Sequence, residues 1–144
     1  MLRLLPLALL FAAAAPQAQS DDLDRDLVDF ELTAAMAQAM VDGYEQVGET
    51  VITTDSGLDE LFDLELALGA EYRIVAATAV EGGLDPDIYV MSADFDPVDS
   101  ADGTGHTETL SFTSPAEGAH VINIELYSDE ETEGRVFGFA VFRK

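Results

Sequence analysis

Apolar residues between Leu23 and Tyr44 recur at alternating spacings of four and three, which is the period of one helix face. Ser20 and the two aspartates after it are candidate N-caps, and Gly43 is a candidate C-terminal stop. The spacing also fits a coiled-coil seam, but two of the seven positions are alanine, which favours packing against the rest of the domain. The predicted stripe consists of Leu23, Leu27, Phe30, Ala34, Ala37, Val41 and Tyr44.

After Gly48 the apolar period changes to two, the period of half-buried strands. The run from Asp94 to Gly105 interrupts it with four aspartates, a proline and two glycines, and is predicted to be a loop. Short strands at this spacing predict an all-β fold, an antiparallel, jelly-roll-like β-sandwich of seven to nine strands with one N-terminal helix. The predicted strands are Thr50–Thr54, Phe62–Leu68, Tyr72–Thr78, Asp87–Ser92, Glu108–Thr113, His120–Leu126 and Arg135–Arg143. The even-numbered apolar sets of the second and sixth are expected to face the core, because a one-residue slip would expose them.

The first twenty residues have the pattern of a signal peptide. Arg3 precedes an apolar run, Leu4 to Ala15, which is shorter than the roughly 20 residues that span a bilayer. Small residues favour cleavage after Ser20, with cleavage after Ala18 as the alternative. We therefore divide the chain into a signal peptide (1–20), a helical segment (21–48) and a sandwich domain (49–144), and expect a periplasmic or secreted protein without membrane insertion after cleavage.

Charge narrows the class of partner. Residues 21–144 contain 5 basic and 29 acidic residues, a net charge of −24. Binding to phosphates requires basic groups that displace counterions, so we do not expect nucleic acid or anionic lipid as partners. Cations, basic proteins and neutral ligands such as glycans remain, and solubility alone would also explain the acidity.

Few residues could carry catalysis. Without cysteine there is no thiol chemistry, and the two histidines, His106 and His120, are far apart in sequence. No serine lies in a nucleophile-elbow pentapeptide, and no glycine-rich phosphate loop follows a strand. His120 alternates with apolar residues and is expected to be a core histidine whose ring nitrogen is satisfied by a neighbour, while His106 is expected to be exposed.

The acidic residues form the one candidate site. Calcium takes six to eight oxygen ligands from carboxylates and carbonyls, which loops rich in aspartate and glycine supply. The spacing is not that of an EF-hand, and in so acidic a chain solvated turn residues are the alternative interpretation. The candidate calcium ligands are Asp85, Asp87, Asp94, Asp96, Asp99 and Asp102.

The order of features from Leu61 to Phe142 resembles the bacterial pre-peptidase C-terminal domain family. It rests on Leu84-Asp85-Pro86-Asp87-Ile88-Tyr89-Val90, on Leu110 to Gly118, and on Gly134-Arg135-Val136-Phe137-Gly138. The resemblance implies a β-sandwich module of exported proteins, some of which bind calcium. His120 departs from it, since the family has an aromatic residue there.

Together these features predict an exported, non-catalytic binding or accessory module, stabilised by calcium if the aspartates bind it. It would recognise a protein or glycan through a sheet face or the loops around Asp94–Gly105. The alternatives are a small hydrolase that uses the carboxylates of Asp85 and Asp87, and a structural envelope protein.

Overall fold

A computed structural model describes residues 17–57, 60–79, 84–128 and 134–144. The first sixteen residues of the predicted signal peptide therefore lie outside the described residues. Among the described parts there is one helix, α1 (Gln17–Val41), and no helix long and apolar enough to cross a membrane. The strands are β1 (Glu45–Gln46), β2 (Val51–Thr54), β3 (Leu61–Leu66), β4 (Glu71–Thr78), β5 (Asp85–Ser92), β6 (Pro97–Ala101), β7 (Thr107–Thr113), β8 (Gly118–Tyr127) and β9 (Val136–Arg143).

These strands form two antiparallel sheets, which confirms the predicted all-β sandwich with one helix. In sheet A the order is β1-β9-β4-β7, with β2 also paired to β9, and in sheet B it is β3-β8-β5-β6. Between the sheets lies a core of alternating side chains, in which Phe62 and Phe139 contact each other with ring centroids 4.6 Å apart. The other face of sheet A packs against α1, so the layers are helix, sheet A and sheet B.

The predicted apolar stripe of α1 is wrong for five of its seven residues, whereas Leu27 and Tyr44 do pack against the buried cluster between α1 and sheet A. Its residues Leu23, Phe30, Ala34, Ala37 and Val41 are exposed, Phe30 by 68% and Val41 by 81%. The face that packs on sheet A is the neighbouring one, which carries Leu27, Val28, Leu32, Ala35, Met36 and Ala39. The helix is thus apolar on two faces, and the face with Val28 and Leu32 is the one that packs on sheet A.

The close approach of α1 to sheet A depends on a glycine. A Cβ at Gly138 of β9 would lie 2.7 Å from the carbonyl oxygen of Val51, 2.8 Å from Cδ1 of Leu32 and 3.0 Å from Cγ1 of Val28. Because β2 and α1 both contact this point of β9, only a residue without a side chain leaves room for them.

The helix ends where the sequence predicts. Gly43 has a φ of 86°, its N–H donates to the carbonyl of Met40, and the N–H of Tyr44 donates to the carbonyl of Ala39. This pair of bonds is a Schellman motif, which satisfies the last helical carbonyls. The prediction of a cap at Ser20 to Asp22 is wrong, since α1 begins at Gln17 and runs through the predicted cleavage site.

Register follows the predicted alternation, with two corrections. Leu64, Leu66, His120, Ile122 and Ile124 are buried, which confirms that β3 and β8 turn their even-numbered residues to the core. Leu68 is exposed, because β3 ends at Leu66 and the chain turns there. The predicted loop 94–105 contains β6, which pairs with the edge of β5 although few of its residues are apolar.

Candidate functional site

Sheet B has an outer face that no described element covers, and we call it the open face. Odd-numbered residues of β3, β5 and β8 line it, because the even-numbered ones point to the core. The strands of sheet B contain no lysine or arginine, whereas Arg25 and Arg73 lie on α1 and β4, and Arg143 and Lys144 at the end of β9. The acidic residues of the four strands are Asp63, Glu65, Asp85, Asp87, Asp99 and Glu125.

Two carboxylates face each other near one end of the open face. Asp87 of β5 is the direct cross-strand partner of Glu125 of β8. Partial burial, and then the charges of Asp85, Asp102, Glu125 and a nearby glutamate on β7, raise the pKa of Asp87 above its usual value. Like charges placed opposite each other in a sheet are destabilising, so this arrangement is maintained against a stability cost.

A buried amide adjoins this pair. Asn123 is only 6% exposed, because Leu61 and Tyr89 flank it on the neighbouring strands. Its Nδ2 donates to Oε1 of Glu125 at 3.0 Å, while its Oδ1 is buried and accepts no hydrogen bond from the described residues. Buried acceptors normally have a partner, so Oδ1 is an unused acceptor next to the carboxylates.

A hollow of about 300 Å³ lies beside Tyr89, where β6 leaves the regular register of β5. The register shifts between Val90 and Met91, so Met91 faces Pro97 across a bulge. Bulges bend a strand locally and expose neighbouring side chains. Burial and the charge of Asp87 raise the pKa of the Tyr89 phenol, which therefore remains neutral at physiological pH.

The turn between β5 and β6 presents an exposed aromatic ring. Phe95 is 57% exposed and has a φ of 64°, the left-handed region that non-glycine residues rarely adopt. Oγ of Ser92 accepts the N–H groups of Asp94 and Asp96, and the N–H of Phe95 donates to the carbonyl of Ser92. These bonds hold the strained residue in place, an arrangement found at functional sites more often than elsewhere.

The six predicted calcium ligands do not lie together. Because β5 and β6 are antiparallel, Asp102 lies near Asp85 and Asp87, whereas Asp94 and Asp96 lie in the turn at the far end of β5. An eight-residue strand is about 25 Å long, so no ion contacts both groups. Oδ1 of Asp85 accepts the N–H of Gly105 at 3.1 Å. Among the described residues no group of three or more acidic or histidine side chains is arranged to hold a metal ion.

The two histidines contribute nothing to the open face. His120 is buried, with Nδ1 2.8 Å from the carbonyl oxygen of Gly118, which confirms it as a core histidine. His106 is half-buried rather than exposed, and its Nε2 lies 3.7 Å from Oε2 of Glu31 on α1. His106 therefore lies beside the helix and is less exposed to solvent than the sequence predicts.

Three residues of the site do not stand out in the sequence. Glu125 and Asn123 lie inside the predicted strand His120–Leu126, and only the strand register brings them beside Asp87. Phe95 lies in the predicted loop, where an aromatic residue between two aspartates was the available signal. Its left-handed backbone is visible only in the structure.

Comparisons with known proteins do not assign the site to a family. No protein-family model matches the chain, and a search of curated proteins finds no significant relative. The resemblance to the pre-peptidase C-terminal domain family therefore stays a prediction.

Proposed function

We propose that the protein is an exported, non-catalytic binding module that recognises a basic protein partner through the open face and the β5–β6 turn. The observation that carries this proposal is Phe95, an exposed ring on the strained, hydrogen-bonded turn that joins β5 and β6, the two strands that line the hollow. Aromatic residues, phenylalanine included, are enriched at protein–protein interfaces. The N-terminal pattern of residues 1–20 supports export.

The charge of the open face supports a basic partner. The strands of sheet B carry acidic residues and no lysine or arginine, and Asp87 and Glu125 lie opposite each other on two of these strands. A lysine or arginine of a partner that lies between the two carboxylates would relieve this repulsion through charge-assisted hydrogen bonds. Charges of one sign also increase the rate of encounter with a partner of opposite sign.

The test compares two exposed phenylalanines. Residues 21–144 are immobilised as wild type, Phe95→Ala or Phe30→Ala and incubated with the exported proteins of the source organism. Wild type and Phe30→Ala should retain the same partner, whereas Phe95→Ala should not retain it. Salt at 1 M should release the partner from the wild type, because it screens the charge attraction. Loss with Phe30→Ala but not with Phe95→Ala would contradict the proposal, and so would binding to a glycan array that Phe95→Ala leaves unchanged.

A hydrolase is the second candidate, and the raised pKa of Asp87 favours it, since a general acid needs such a pKa. Asp85 already accepts the N–H of Gly105, so Glu125 is the better second carboxylate. Turnover of a glycan or peptide panel, abolished by Asp87→Asn with the fold intact, would establish the enzyme and contradict the binding module.

A further inference from the structure

A second opening lies at the opposite edge of sheet B from the β5–β6 turn. This edge groove, about 500 Å³, is bounded by β3 on sheet B and by residues 47–51 on sheet A. Phe62, Ile122, Phe139 and Val141, which belong to the core, lie at its base. Ligand sites typically have volumes of about 300–1,000 Å³ and apolar walls, so the groove is large enough for side chains of a ligand.

The groove exists because the two sheets end differently at this edge. On sheet A, β1 and β2 both pair with β9, and the chain between them is held by the N–H of Val47, which donates to the carbonyl of Val141 at 2.8 Å. On sheet B, β3 pairs with β8 alone among the described residues. One edge of β3 thus has backbone groups available for another strand.

The residues that line the groove favour a positively charged ligand. Glu49 on one side and Asp63 and Glu65 on the other are exposed, and the described lining contains no lysine or arginine. An extended chain whose apolar side chains enter the groove would place its alternate side chains near these carboxylates. A ligand chain in which apolar and basic residues alternate therefore matches both the apolar base of the groove and the carboxylates around it.

We propose that the edge groove binds an extended segment of a basic partner protein, which adds a fifth strand to sheet B along β3. Strand addition supplies affinity through backbone hydrogen bonds and specificity through alternate side-chain pockets. A second copy of this chain fits poorly, because residues 21–144 carry a net charge of −24 and like charges would oppose each other. The site is separate from the β5–β6 turn and does not depend on it.

The probe is a heptapeptide of alternating lysine and leucine, lysine at both ends, measured by calorimetry with residues 21–144. An extended strand presents its N–H groups alternately to its two sides. Two further peptides carry backbone N-methyl groups on all leucines or on all lysines. One of these two should lose at least tenfold in affinity, whereas the other should bind as the parent does.

Protein variants locate the peptide. Val47→Trp, which fills the groove without changing charge, should lose at least tenfold in affinity, and Glu49→Gln should lose more than its matched control Glu45→Gln. Asp87→Asn, on the open face, should have no effect. The amide signals of β3 should shift in NMR spectra of the wild type, which keeps the test valid if Val47→Trp unfolds.

Three results would overturn the proposal. Equal binding of all three peptides would mean charge attraction without strand addition. Equal losses from Glu49→Gln and Glu45→Gln would mean a diffuse electrostatic effect. Loss with Asp87→Asn and none with Val47→Trp would place the peptide on the open face, which would support the proposed function while excluding the groove.

Discussion

Replacement of Gly138 by alanine tests the packing of the helix against sheet A. The added Cβ would lie 2.7 Å from a backbone oxygen, that of Val51, and 2.8 Å from Cδ1 of Leu32. At an ordinary strand position the same change stabilises by roughly 0.5–1 kcal/mol. Here β2 or α1 has to move, and overpacking of this kind costs about 1–3 kcal/mol.

We therefore expect Gly138→Ala to lower the free energy of unfolding by about 1–3 kcal/mol, measured by urea denaturation. The urea dependence of that free energy should not change, since the surface exposed on unfolding is the same. Gly103→Ala is the matched control. Its Cβ would meet only the carboxylate end of Glu108, which can rotate away, so its effect should be within about 0.5 kcal/mol.

Leu32→Ala creates space beside the added methyl group and gives a double-mutant cycle. Gly138→Ala should cost less in the Leu32→Ala background than in the wild type, by about 0.5–1 kcal/mol, because one of its clashes is gone. A neutral or stabilising Gly138→Ala, or an equal cost in both backgrounds, would refute the close packing of α1 on β9.

Three further predictions concern the site. In thermal unfolding, Phe95→Gly should be more stable than Phe95→Ala by about 1 kcal/mol, because glycine adopts a positive φ without strain. Alanine variants are normally the more stable ones, and a more stable Phe95→Ala would contradict the left-handed turn. Because the raised pKa of Asp87 makes its ionised form unfavourable in the fold, Asp87→Asn should increase stability at pH 7 by up to about 1 kcal/mol. That gain should disappear as the pH falls below 3.8, the unperturbed value; a gain independent of pH would contradict the charge explanation. Calcium, magnesium and sodium chloride at equal ionic strength should raise the melting temperature equally, because the six aspartates do not converge on one position and no described group is arranged to hold a metal ion. A calcium-specific rise that is lost in Asp87→Asn would establish a site.

The sequence predicts the sandwich well because burial of alternate residues leaves a strong period-two signal. Strands β3 and β8 show it clearly, with Leu64 and Ile122 at even-numbered positions inside. The helix is also predicted, but its orientation is not, because α1 has two apolar faces and only the shape of sheet A selects the one with Val28 and Leu32. Strand β6 escapes prediction since its pairing partner, and not its own composition, makes it a strand.

The candidate site is predicted only in part. Asp85 and Asp87 stand out in the sequence, but Glu125 lies 38 residues after Asp87 and joins it only through the register of β5 and β8. The unused acceptor of Asn123 depends on burial by residues of two other strands. Long-range register and burial of this kind are properties of the folded chain, and a single sequence does not contain them in readable form.

The central claim is that the partner contacts the open face. A photoreactive benzoylphenylalanine at position 100, in the hollow beside Tyr89, should form a light-dependent adduct with the partner in an extract of exported proteins. The same residue at position 30, on the exposed apolar side of α1, is the control and should form none. An adduct from position 30 with none from position 100 would place the partner on the helix and contradict the account.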